Sequence, residues 1–181
     1  MSTDEREADR RARFDEIARE LIDPLRRYLA RRTDWATADD VLSDTLLVCW
    51  RRLDDVPDNA LPWAYGVARR CLANAQRGER RRLRLAAKIS VVAPPDQVTP
   101  TQDGSDDDLL EAMAALRPED AELLRLWAWE RLSPAEIATV LEVTANAASI
   151  RLHRAREKLR EELRKVQQPS GHEQSREGRG S

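Results

Sequence analysis

Residues 132–163, LSPAEIATVLEVTANAASIRLHRAREKLREEL, constrain the fold more than any other stretch of the chain. Ser133 is a natural N-cap, and Pro134 follows at the first helical position, where a missing N–H costs nothing. Glu136, three residues after Ser133, completes a capping box. Ile137, Ala138 and Leu141 give this short helix an apolar face. A turn through Glu142 and Val143 leads to Thr144, a second N-cap. Beyond it Ala148, Leu152, Ala155, Leu159 and Leu163 recur at helical spacing, so one stripe of a longer helix is buried. The opposite face begins with Asn146, Ser149, Ile150 and His153, with Arg151, Arg154, Arg156 and Lys158 close by. Small polar groups at a helix start, flanked by arginines, suit a helix entering a major groove between phosphates. An ordinary helical hairpin with a solvated basic face is the alternative.

The rest of the chain is read around that pair of helices. Gly is scarce, long β-branched runs are absent and charged residues reach 35% of 181 residues, so the expected fold class is all-α. No apolar run approaches the ~20 residues a membrane helix needs. The charged first twenty residues lack the apolar core of a signal peptide, and a cytoplasmic protein is expected. Cys49 and Cys71 are isolated thiols. With two His in the chain no zinc-ligand spacing exists, so neither a metal nor a cofactor is expected. The net charge of −2 conceals strong local patterning.

Residues 1–12 are mostly charged and are expected to be disordered. Phe14, Ile17, Ala18, Leu21, Ile22, Leu25 and Tyr28 mark one helical face, which Pro24 should kink or restart. Thr33 to Ala36 reads as a connection and Thr37 as the next start. Leu42, Leu46, Cys49, Trp50 and Leu53 form the core stripe of that helix. Asp40, Asp44, Leu47 and Arg51 lie on another face, either solvated or binding a partner.

After a loop at 53–61, a third helix over 60–85 turns Leu61, Ala64, Tyr65, Ala68, Leu72 and Ala75 inward. Its other side carries Arg69, Arg70, Asn74 and Arg77. Between Arg69 and Lys88, eight basic residues stand against Glu79, a local charge of +7. Trp63 and Tyr65 precede this run, and aromatic rings beside an arginine track suit single-stranded DNA. For Tyr65 a core position is the better reading; for Trp63 core and base stacking stay open.

Pro94, Pro95, Pro100 and Asp106 to Asp108 mark residues 89–108 as a flexible acidic linker between two helical domains, 13–88 and 109–165. Leu109, Leu110, Met113 and Leu116 open the second, and Pro118 begins a helix carrying Leu123, Leu124, Trp127 and Trp129. Residues 166–181 should form a disordered tail. No phosphate-binding loop or nucleophile–base arrangement is present, which argues against an enzyme.

Taken together, the motifs resemble the extracytoplasmic-function class of sigma factors, the minimal two-domain initiation subunits of bacterial RNA polymerase. ADDVLSDTLLVCW at 38–50 is similar to the family's acidic polymerase-clamp helix. PWAYGVARRCLAN at 62–74 is similar to its promoter-melting and minus-ten-reading helix. LRPEDAELL at 116–124 and the stretch 132–163, with RLHRAR at 151–156, are similar to its C-terminal helix-turn-helix. The resemblance implies core RNA polymerase as partner, through Asp40, Asp44, Leu47 and Arg51 on the largest subunit's clamp helices and through the flap of the second-largest subunit. It implies promoter DNA, with Asn146, Ser149, Ile150, Arg151, His153, Arg154 and Arg156 at the minus-35 element. Asp58, Asn59, Trp63, Arg69, Arg70, Asn74 and Arg77 would serve minus-ten recognition and melting. An anti-sigma factor is a further implied partner. A stand-alone helix-turn-helix regulator is the competing reading, and it leaves the N-terminal half without a joint purpose. Glu142 stands where the family usually has glycine, Arg70 where it often has Asn, and Asn74 where it often has Asp. Ala147, Ala148 and Ser149 replace larger residues, leaving few side chains to specify bases.

Overall fold

A computed structural model describes residues 3–87 and 104–167, which contain seven α-helices and no strand. In the N-terminal half, α1 (Thr3–Ala30), α2 (Trp35–Arg51) and α3 (Ala60–Ala87) pack together, with a 3₁₀ turn at Leu53–Asp55. In the C-terminal half, α4 (Gly104–Ala114), α5 (Pro118–Ala128) and α6 (Pro134–Leu141) pack around α7 (Ala145–Gln167). All-α architecture and the C-terminal helix-turn-helix match the expectation from sequence.

The apolar stripes meet as their periodicity requires. Leu21, Leu25, Tyr28 and Leu29 of α1 are buried against Val41, Leu42 and Cys49 of α2 and Ala64, Tyr65, Ala68 and Leu72 of α3. The Tyr28 and Tyr65 rings lie 4.9 Å apart, so Tyr65 is core. Burial pushes its phenol up to about 12, and likewise the Cys49 thiol up to about 11. Thr45, on the buried side of α2, satisfies its hydroxyl by donating to the Val41 carbonyl at 2.6 Å. The α5, α6 and α7 stripes contribute Leu124, Leu126, Ile137, Ala138, Leu152 and Ala155, and these join the same contiguous core. The two halves are therefore packed on each other, mainly through α3 and α6.

Several boundaries differ from expectation. Residues 1–12 were expected to be disordered, yet α1 is helical from Thr3. Arg10 anchors it by donating to Asp54 at 3.0 Å and to the Trp50 carbonyl at 2.8 Å, long-range contacts that local composition does not reveal. Pro24 neither ends nor restarts α1, which runs through it. The proline removes one N–H, and the Glu20 carbonyl left behind sits at an exposed position where water can reach it. The second helix starts at Trp35 rather than Thr37, because Asp34 caps it by accepting the Thr37 N–H at 3.0 Å. Ala75 is exposed, not inward. The expected linker 89–108 loses its last residues to α4, which begins at Gly104, and the expected tail from 166 loses its first two to α7. The remainder of both segments lies outside the described residues.

One polar contact fixes α7 against α5. Asp120 is buried and accepts from Lys158 at 2.6 Å and from Arg117 at 3.2 Å. Burial opposes the charge on Asp120, but these hydrogen bonds win and hold its carboxyl below the usual carboxylate range. A depressed folded pKa means that Asp120 contributes stability above its unfolded pKa and loses it as pH falls through the folded value. Asp120→Asn should therefore lower the unfolding free energy at neutral pH by about 1–3 kcal/mol. In urea titrations the gap to wild type should shrink as the pH drops below the usual carboxylate range. A gap independent of pH would contradict the assigned role.

Candidate nucleic-acid interface

The helix-turn-helix is built by local chemistry. The Ser133 hydroxyl accepts the Glu136 N–H at 3.3 Å, and Glu136 accepts the Ser133 N–H at 2.8 Å and its hydroxyl at 2.7 Å. The Ser133 hydrogen bonds hold the Glu136 carboxyl below its usual range. At the other end of α6, Glu142 adopts a left-handed backbone, φ 55°. The Val143 N–H reaches the Ala138 carbonyl at 3.0 Å, closing the helix as a glycine would ordinarily allow. The turn thus keeps left-handed geometry although glycine is absent. Thr144 then caps α7 by accepting the Ala147 N–H at 3.1 Å.

With α7 buried along Ala148, Leu152 and Ala155, its outer face is set at 100° per residue. Asn146, Ile150 and His153 form the centre of that face, with Ser149 on one flank and Arg151 and Arg154 on the other, all exposed. Arg156 is placed differently. It is half-buried, its guanidinium 4.6 Å from the Trp127 ring, on the side facing α5. Glu157, which the sequence reading passed over, stands one turn beyond His153 and 3.4 Å from its Nδ1. A carboxylate there has the wrong sign for phosphate, so the groove-compatible surface is confined to the first turns of α7.

In the N-terminal half, Asp40, Asp44, Leu47 and Arg51 make one exposed stripe on α2, and Leu47 is 44% exposed. Buried Leu53 and Val56 pin the turn after α2, leaving Asp58 and Asn59 exposed before α3. Arg69, Arg70, Asn74 and Arg77 are exposed on α3, with Arg77 donating to Asn74. Trp63 is half-buried: it packs on the core, and the Arg52 guanidinium lies 5.7 Å from its ring. It therefore shares both readings left open by the sequence.

What sequence spacing did not find is the set of carboxylates facing these residues. Asn59 donates to Glu136 at 3.2 Å, and Arg70 donates to Glu142. Arg32, in the turn just after α1, donates to Glu122 at 3.2 Å and to Glu130 at 3.1 Å. Arg31 adds a second partner for Glu130 at 3.3 Å. The Arg32 and Glu130 side chains are only 7% and 3% exposed. Burial disfavours the Arg32 charge, but Glu122 and its neighbours outweigh it and leave the guanidinium more firmly protonated than usual. These partners are 90 or more residues apart in sequence, beyond the reach of any periodicity.

Residues 106–159 match the family model described as sigma-70, region 4. The chain is 32% identical to an ECF RNA polymerase sigma factor, SigL, of Mycobacterium tuberculosis, over 86% of this chain and 89% of that protein. It is also 32% identical to an RNA polymerase sigma-E factor of Streptomyces avermitilis, over 83% and 84%. Among solved structures, the sigma factor RpoE in complex with the anti-sigma factor NepR from Bartonella quintana shares the fold. Its TM-score is 0.62 at 21% identity, over 83% of this chain and 96% of that one.

The turn between α5 and α6 offers a test of how the hairpin is held. Arg131 is exposed and has φ 55°, a conformation that costs an L-residue about 1–2 kcal/mol. Arg131→Gly should raise the unfolding free energy by about 0.5–1 kcal/mol, part of the relief being lost to unfolded-state entropy. Arg131→Val should lower it. Equal denaturation midpoints for all three proteins would show that the left-handed turn is not under strain.

Proposed function

Because the chain belongs to the extracytoplasmic-function sigma factors of the sigma-70 family, we propose that it directs core RNA polymerase to promoters by reading two DNA elements and opening the strands between them. The observation that carries this reading is continuity: the match to sigma factors runs through both halves, and each half presents an exposed face suited to its part. A stand-alone regulator would need only the helix-turn-helix. The protein acts by binding rather than catalysis, in the cytoplasm where the polymerase works.

In this reading α1, α2 and α3 form the region-2 domain and α4 to α7 the region-4 domain. The acidic stripe Asp40, Asp44, Leu47 and Arg51 docks on the clamp helices of the largest polymerase subunit, and the region-4 domain meets the flap of the second-largest. Asn146, Ser149, Ile150 and His153 face base edges of the minus-35 element, while Arg151 and Arg154 hold phosphates; Arg156, turned toward Trp127, plays the smaller part. Asp58, Asn59 and the half-buried Trp63 capture an unstacked base of the minus-ten element. Arg69, Arg70, Asn74 and Arg77 follow the strand. Flipping a base costs a few kcal/mol, which stacking and hydrogen bonding must recover. An anti-sigma factor that competes for these faces would keep the protein silent; the Bartonella RpoE is found in complex with an anti-sigma factor, NepR.

Two substitutions separate the roles. Asp40→Ala with Leu47→Ala removes exposed groups, so the fold should survive while affinity for purified core polymerase falls in a pull-down. Unchanged affinity would count against the clamp contact. In holoenzyme binding assays, Arg154→Ala should weaken all promoters alike and reduce the salt slope by about 1. Asn146→Ala or Ser149→Ala should instead shift sequence preference. An Arg154→Ala protein with altered preference and intact affinity would reverse this division.

A further inference from the structure

The turn that follows α2 is fixed from several directions. Leu53 and Val56 are buried beneath it. The Arg52 N–H donates to the Val48 carbonyl at 3.0 Å, and the Arg52 carbonyl accepts the Asp55 N–H at 2.9 Å. From α1, Arg10 donates to Asp54 at 3.0 Å and to the Trp50 carbonyl at 2.8 Å. The side chains that this turn carries therefore project from a backbone held in one place.

Arg52, which belongs to no motif, is one of them. Its Nε donates to Asp55 at 3.0 Å, and its guanidinium carbon lies 5.7 Å from the centre of the Trp63 ring. Half of the Arg52 side chain is exposed, and Trp63 is only partly buried against the core. Two flat, delocalised groups thus stand next to each other beside the exposed Asp58 and Asn59. Asp55 offsets the charge of Arg52, and Asp54, Asp55 and Asp58 make the turn acidic, which disfavours phosphate here. A hydrogen bond at Nε lies in the guanidinium plane, however, and leaves the faces of that plane clear of Asp55. Arginine planes stack on unpaired bases much as aromatic rings do.

The spacing fits the same use. Bases stack about 3.4 Å apart, so a base lying between two planes needs them about 6.8 Å apart. Arg52 and Trp63 fall short of that by roughly one ångström, which rotation of a half-exposed arginine supplies. We infer that Arg52 is the second wall of the base-capturing slot: an unstacked base enters between the Trp63 ring and the Arg52 guanidinium, with Asp58 and Asn59 near its edge. The inference rests on the minus-ten role proposed above and adds to it a residue that acts through its plane rather than its charge.

Holoenzyme carrying the full chain is tested on a fork DNA from a promoter it transcribes, duplex upstream and single-stranded through the minus-ten segment. Abasic sites are placed along the single strand, one nucleotide at a time. In the wild type one position should dominate, loss of its base weakening binding about fivefold or more. Arg52→Ala should weaken the intact fork about fivefold, and the abasic site at that position should then cost little further. Arg52→Lys keeps the charge and loses the plane, so it should bind as poorly as Arg52→Ala. Both variants should match wild type in affinity for core polymerase and for an upstream duplex that stops short of the minus-ten segment. An Arg52→Ala protein that binds the fork as tightly as wild type would overturn the inference. Full recovery by Arg52→Lys would overturn it too, since that is the mark of a phosphate contact. A wild type that binds the fork no better than the upstream duplex would strike the minus-ten role itself, and the inference with it.

Discussion

Arg32 is a charge taken out of water, and the arrangement of both halves depends on its being fully compensated. An uncompensated buried guanidinium would be strongly destabilising, and breaking such a pair typically costs about 3–5 kcal/mol. Here the Tyr28 carbonyl accepts at 2.9 Å while Glu122 and Glu130 supply the opposing charge. Those carboxylates come from α5 and the residues after it, so the α1 end and the helix-turn-helix half are fixed relative to each other by electrostatics as well as by the shared apolar core. That same placement lays α6 along α3. The pairing of charges thus fixes how the halves meet, while the α2 stripe and the outer face of α7 remain exposed.

The helix-turn-helix was the most legible part of the chain because its determinants are local. A capping box, a proline at the first helical position and a second cap at Thr144 act within a few residues, and the structure contains each of them. The apolar stripes of α1, α3 and α7 were legible for the same reason, since a period of 3.6 leaves little choice of buried face. Tyr65 could be assigned to the core from its place in such a stripe. Trp63 could not be settled, and its half-buried position shows why: it borders the core and solvent at once.

What sequence could not show was set by partners far along the chain. The first residues of α1 looked frayed because their charge was visible and the Arg10 anchor on Asp54 and Trp50 was not. Pro24 looked like a break because its own cost is local, while the packing of Leu21, Leu25 and Leu29 that carries the helix through it is tertiary. Arg156 read as one more groove-facing arginine until Trp127 proved to be its neighbour. The pairing of Arg32 with Glu122 and Glu130 left no mark in the sequence. Its importance lies in which helices meet, and that follows only once the two halves are packed.

The central claim is that this chain converts a polymerase without promoter preference into one with it. Transcription in vitro from a library of genomic fragments, with purified core RNA polymerase and 5′-end mapping of the products, tests that most directly. The account requires start sites that appear only when the chain is added and share a two-part upstream motif. Transcripts with the same scattered 5′ ends with and without the chain would contradict it.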